Sequence, residues 1–209
     1  EILDLCLSCK GCKSECPSNV DIAKLKAEFL QHWYDDHGIP LRARLIANIT
    51  RINKLGSLAP ALFNFFQSNP VISGISKRLL GFAPQRNIPL LYATTLRAWA
   101  ARQNPDKSLT KKVYLFADEF TNYNDVEIGI KAIKLLNAFG YLVILPDHEE
   151  SGRTYLSKGL VRKAKALANI NVKKLRSLIT DETPLLGIEP SAILTFRDEY
   201  PDLVDLSLK

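Results

Sequence analysis

Cys6, Cys9, Cys12 and Cys16 stand within eleven positions, and the remaining 193 residues after Cys16 contain no cysteine. Their spacing is Cys-x2-Cys-x2-Cys-x3-Cys, followed by Pro17. Disulfide frameworks spread their cysteines to staple distant segments, so this crowding reads as a ligand set in a reducing compartment. An iron–sulfur cube needs thiolates at its corners. Three cysteines at three-residue intervals let one short loop wrap three corners. A fourth cysteine followed by proline starts an exit helix and, in two-cluster carriers, serves the second cluster. Gly11 is expected to let the chain turn tightly, and backbone N–H groups to donate to the sulfurs. The competing chemistry is zinc, although zinc sites usually split their ligands into two pairs across a longer loop.

The elements around this run are legible from periodicity and breakers. Ser18 to Asp21 has the form of a capping box, and a helix is expected to follow, with Ile22, Leu25, Phe29, Leu30 and Trp33 on its apolar face. Gly38 and Pro40 stop it. A second helix is expected over Leu41–Leu55, with Leu41, Leu45, Ile49 and Ile52 on one face. Shorter helices are expected over Ala59–Phe66 and Val71–Leu80. The stretches Gly81–Pro89 and Gln103–Thr110 read as linkers. Beyond Lys111 the pattern changes to short apolar runs, Val113–Ala117, Tyr141–Leu145 and Leu185–Ile188, alternating with helical patterns over Val126–Phe139, Leu160–Leu178 and Ala192–Arg197. Ser191 is a candidate cap for the last of these. Such alternation implies parallel strands with right-handed crossovers. Working loops then lie beyond the strands' carboxyl ends, at Asp118–Asn124, Pro146–Tyr155 and Glu189–Ala192. The expected fold is α+β: an all-α region with the cysteine loop over 1–102, then an α/β unit with a small parallel sheet over 111–209.

Other classes are disfavoured. Hydrophobic residues make up 46% of the chain, enough for a core, and the net charge of +6 reads as solvated helix faces. No basic stripe interleaved with exposed aromatics suggests nucleic acid. No apolar run approaches the ~20 residues of a membrane span. His32 and His37 flank Trp33 near a helix end, where solvation or capping outweighs ligation. His148, beside Glu149 and Glu150, lacks metal-ligand spacing. Asp118 and Glu189 are poised between function and helix capping. Arg153 and Lys158 are candidates for holding an anion near a helix N-terminus. There is no Gly-rich phosphate loop and no Ser–His–Asp pattern, so a flavin or nicotinamide site within these residues is not expected.

The run Leu5–Asp21 resembles the second ferredoxin motif of large FAD-linked oxidase/iron–sulfur oxidoreductase fusions, similar to D-lactate dehydrogenases and the iron–sulfur subunit of glycolate oxidase. The resemblance continues in Ala117–Tyr123, Ser151–Leu160 and Gly187–Pro201, and covers nearly the whole chain. The later segments resemble the first half of the cysteine-rich domain shared with heterodisulfide reductases. The resemblance implies a 4Fe-4S cluster on Cys6, Cys9, Cys12 and Cys16, with FAD and a first ferredoxin motif elsewhere in a longer parent. Electrons from a 2-hydroxy acid would pass from the flavin through the clusters to a quinone or an electron carrier. The location would be cytoplasmic, or peripheral at the cytoplasmic membrane. An iron–sulfur subunit like that of anaerobic glycerol-3-phosphate dehydrogenase, or of a heterodisulfide-reductase-like complex, is the neighbouring alternative. A zinc-stabilised docking module without catalysis is the alternative from another class. The sequence departs from the family where the cysteine-rich domain can carry cysteines: Glu150 and Ser151 precede Gly152, and Ala192 follows Ser191. This half therefore offers no further thiolate, and Glu150, Ser151 and Arg153 are expected to be structural or to dock.

Overall fold

The structure is a computed structural model that describes residues 2–104, 106 and 108–208. Two positions of the expected 103–110 linker, 105 and 107, lie outside the described residues, as do both terminal residues. A 3-10 turn, Ile2–Leu5, leads into the one-turn helix α1 (Gly11–Glu15). Six helices follow: α2 (Ile22–His37), α3 (Leu41–Ala47), α4 (Ile49–Gly56), α5 (Pro60–Ser68), α6 (Pro70–Leu80) and α7 (Leu96–Ala100). Strand β1 (Lys111–Phe116) opens the second part, followed by α8 (Val126–Ala138), β2 (Tyr141–Ile144), α9 (Arg153–Ser157) and α10 (Val161–Leu175). Strand β3 (Leu185–Gly187), α11 (Pro190–Asp198), α12 (Tyr200–Leu203) and a 3-10 turn, Leu206–Leu208, complete the chain. The expected α+β class, with its small parallel sheet, is what forms.

The sheet has the order β2-β1-β3, all parallel, with Val113 opposite Val143 and Leu115 opposite Leu186. Central β1 is buried on both faces, as parallel strands covered by crossover helices are. Leu115 packs with Leu96, Val126 and Ile133, while Phe116 stacks on His148 and meets Phe196 edge-on. A second cluster joins Ala47 of α3 to Tyr155, Leu156, Leu160 and Ala164. A third joins Ala168 to Tyr200 and Val204. The helical first part therefore enters these cores through Ala47 and Leu96.

Several local expectations are corrected. Ser18 does not cap α2, because the helix begins only at Ile22; the cap is Asp21, whose carboxylate accepts from the Lys24 N–H at 3.1 Å. The single helix expected over 41–55 divides at Asn48, whose side-chain amide donates to the Arg44 carbonyl. Asn48 also accepts from the Tyr155 hydroxyl, so a side chain competing for helical carbonyls sits where α9 packs. The apolar faces are the larger correction. Helix α2 buries Ala23, Lys26, Ala27 and Gln31, and leaves Ile22, Leu25, Phe29 and Trp33 exposed. Helix α3 likewise buries Ala43 and Ala47 rather than Leu41. Alanines admit the close approach of neighbouring backbones that the bulkier face would prevent. Helix α11 is capped by Glu189, which accepts from the Ala192 N–H; Ser191 donates to that same carboxylate.

Candidate metal centre

The cysteine loop is shaped by two residues in the left-handed region, Ser8 (φ 56) and Lys10 (φ 63), where non-glycine residues are uncommon. Gly11, expected to make the turn, instead opens α1 in ordinary helical conformation; a Cβ there would stand 3.7 Å from the Cys9 sulfur. All four cysteines are reduced; Cys9 and Cys12 are exposed, Cys6 and Cys16 partly covered. Cys16 leaves α1 in extended conformation, and the chain curls back over it through Asn19 (φ 55). The backbone N–H groups of Val20 and Ser18 face its sulfur and hold its thiol below the usual range, while the Asn19 N–H donates to the Cys16 carbonyl at 2.9 Å. This is the hydrogen-bonding expected for a thiolate ligand.

The donor set suits an iron–sulfur cluster: four reduced thiols, no acidic residue in the first turn of α1, and N–H groups facing one sulfur. The sulfurs are not gathered round a common point. Among the described residues, no group of three or more His, Cys, Asp or Glu side chains is close enough to hold a metal ion.

Three cations from the loop and its surroundings fix it in place. The Lys26 amine, on the buried face of α2, donates to the Cys6 carbonyl at 2.7 Å. Arg153, the first residue of α9, donates to the Ser8 carbonyl at 2.5 Å and to Glu199 at 3.1 Å. The Lys10 amine meets the same Glu199 carboxylate at 2.5 Å and Asp198 at 3.2 Å. Arg197 and, secondarily, Lys10 hold the Asp198 carboxyl down to about 2. Glu199 is buried, so it binds the loop to the α/β part through two cations at once. Arg153 thus positions the loop rather than an anion. Lys10, Lys26 and Glu199 carry no sequence signal of this role; ordinary charges acquire it through the fold.

A second concavity, of about 600 Å³, lies at the carboxyl end of β1 and is lined by Arg51, Arg97, Glu119, His148 and Glu150 among others. Two of the three expected working loops, 118–124 and 146–155, meet there. Their polar residues are mostly structural. Asp118 accepts from the N–H groups of Phe120 and Thr121 and from the Thr121 hydroxyl. Buried Glu119 accepts from the Ser151 hydroxyl at 2.6 Å, and burial pushes its carboxyl up to about 7. His148 accepts from the Ala117 N–H and faces the Glu149 carbonyl; burial lowers it to about 3. Glu150 accepts from Thr50, and burial raises its pKa. At the positions where the family can carry cysteines, Ser151 therefore pairs with Glu119 and Glu150 with Thr50, while Ala192 is packed. His37 stacks on Trp33 and meets its carbonyl, an end-of-helix role.

No protein-family model matches the sequence, and no solved structure does. Curated relatives are found. The D-2-hydroxyglutarate dehydrogenase of Escherichia coli (strain K12) is 25% identical over 96% of this chain, which spans 20% of that protein. That of Pantoea ananatis (strain AJ13355) is 27% identical over 98% of the chain and 21% of its own length. A subunit of the anaerobic glycerol-3-phosphate dehydrogenase of Escherichia coli (strain K12) is 27% identical over 92% of the chain and 49% of its own length. The chain thus spans about a fifth of the dehydrogenases it matches and about half of that subunit. Across nearly its whole length, then, the chain is similar to D-2-hydroxyglutarate dehydrogenases and to a subunit of an anaerobic glycerol-3-phosphate dehydrogenase.

Proposed function

We propose that this chain is the electron-relay part of a larger FAD-linked dehydrogenase acting on a 2-hydroxy acid, D-lactate, glycolate or 2-hydroxyglutarate being of the right class. The observation that carries this is the cysteine run, which uses every cysteine and lies in a loop fixed by Lys10, Lys26 and Arg153. Cys6, Cys9, Cys12 and Cys16 are the ligands. A bound 4Fe-4S cluster would supply one-electron transfer at a potential set by hydrogen bonds to sulfur, net charge and exposure. The chain's own residues prepare that setting. The Val20 and Ser18 N–H groups face the Cys16 sulfur, the left-handed Ser8 and Lys10 shape the loop, and Glu199 joins it to the α/β part. Residues 1–102 and 111–209 form the two domains of this reading, with FAD and a first ferredoxin motif in the same parent or complex, and a quinone or carrier as acceptor. The protein works on the cytoplasmic side.

The likeness to the glycerol-3-phosphate dehydrogenase subunit supports a second form of the same role, a separate iron–sulfur subunit. The test is anaerobic reconstitution with iron and sulfide. Cys9→Ser is expected to abolish cluster assembly while the circular dichroism of the α/β part persists. Unchanged iron in that variant would refute the ligand assignment.

A further inference from the structure

Helices α5 and α6 form a hairpin turned inside out. Helix α6 buries Ser73 and Lys77, 3% and 7% exposed, and presents Val71, Ile75 and Leu79 at 67%, 57% and 80%. These three recur every fourth residue, so they make one continuous apolar face. Helix α5 buries none of its residues fully and presents Leu62, Phe65 and Phe66, again one face by their i, i+3, i+4 spacing. Its Phe63 points the other way, against Gly56 of α4, where a Cβ would come within 2.7 Å of the ring. The hairpin therefore holds one side to the protein and offers an apolar one outward. None of its residues belongs to the three core clusters. Leu55 and Leu58, just before it, are exposed as well.

The charge around this face identifies its partner. Between Asp36 and Asp106 the chain holds nine Lys and Arg residues and not one Asp or Glu; Arg51, Lys54 and Arg97 among them line the concavity with Glu119, Glu149 and Glu150 instead. Arg78 lies on α6 itself, Arg42 sits over the Phe82 ring just beyond its end, and Arg86 follows in the same turn region; all three are exposed. The other bared apolar face, on α2, is different: Glu28, Asp35 and Asp36 share that helix with Phe29 and Trp33. Mixed charge suits a protein surface, whereas three exposed arginines at the carboxyl end of the hairpin, beside exposed leucine and phenylalanine, suit an anionic bilayer. No helix among the described residues is long and apolar enough to cross a membrane, so a hairpin meeting a bilayer would lie along the interface rather than span it.

We propose that the α5–α6 hairpin docks the protein on an anionic phospholipid surface, Phe65, Phe66, Ile75 and Leu79 entering the acyl boundary and the arginines meeting headgroup phosphates. This does not depend on the electron-relay reading, because it needs no iron. The test is co-sedimentation of the 209-residue chain with phosphatidylcholine vesicles and with vesicles containing about one third phosphatidylglycerol. Binding at least about tenfold stronger to the anionic vesicles, weakened by high salt, is expected. Phe65→Asp with Phe66→Asp should lower it at least about tenfold with circular dichroism unchanged, since both rings are already exposed. Should that pair misfold, Ile75→Ser with Leu79→Ser serves the same purpose. Equal binding to both vesicles, no binding, or binding that the folded variants leave unchanged would overturn the proposal. A dimer that those substitutions dissociate, without vesicle binding, would instead give the face to a second copy and overturn it too.

Discussion

Glu199 is a buried carboxylate that receives both Lys10, from the cysteine loop, and Arg153, from α9. Removing one member of a buried ion pair strands the others, at a cost of about 3–5 kcal/mol. Glu199→Ala should lower unfolding stability by that order in urea titration; a loss within error of zero would mean the loop is not held this way. The concavity at the carboxyl end of β1 supplies a pH test. Glu119 is raised from 4.5 to about 7 by burial, so its contribution is present below pH 4.5 and lost as pH rises through 7. His148 is lowered from 6.5 to about 3, again by burial, so its contribution is present above pH 6.5 and lost as pH falls toward 3. Between about pH 4.5 and 6.5 the two slopes oppose and nearly cancel. Glu119→Gln should leave the His148 slope alone, so that stability climbs with pH across this window. A flat profile in the variant would contradict the assignment. The cysteines of the candidate site were legible because their spacing is itself the chemistry. Its supporting cations were not, since a lysine three positions after Ala23 looks like any exposed lysine until its stem packs and its amine reaches a carbonyl.

At the scale of elements, type was readable and facing was not. Short apolar runs bounded by Lys111, Pro146 and Glu189 mark the three strands, and alternation with helical patterns gives their parallel pairing. Periodicity shows that α2 and α6 have two unlike faces. It does not show which one finds a neighbour, and here the alanines of α2 and the Ser73–Lys77 side of α6 do. The one-turn helices α7 and α9 are not legible in the sequence, because so short a segment carries too little periodicity. The join of α2 to the α9–α10 turn depends on Gly159, at φ +72, where a Cβ would lie 2.2 Å from the Leu30 Cβ. Gly159→Ala should therefore cost about 3 kcal/mol, combining a left-handed penalty with overpacking, and lower the thermal midpoint. A variant as stable as the parent would show that this contact yields freely.

For the whole molecule, the cysteine loop and the α/β part are one mechanical unit. Glu199 and Arg153, remote in sequence from the cysteines, set where the loop sits. The apolar faces left bare on α2 and on the α5–α6 hairpin differ in the charged residues beside them, acidic and basic on α2 and basic at the end of α6. A chain spanning about a fifth of its dehydrogenase relatives accordingly presents surfaces suited to a larger assembly. The central claim, that Cys6, Cys9, Cys12 and Cys16 ligate an iron–sulfur cluster, is tested most directly by assaying iron, acid-labile sulfide and zinc on anaerobically reconstituted protein. Iron and sulfide in equal amounts, up to about four of each per chain, both lost in Cys9→Ser, are the result predicted. One tightly held zinc with no sulfide would contradict it and make the cysteine loop a structural knot.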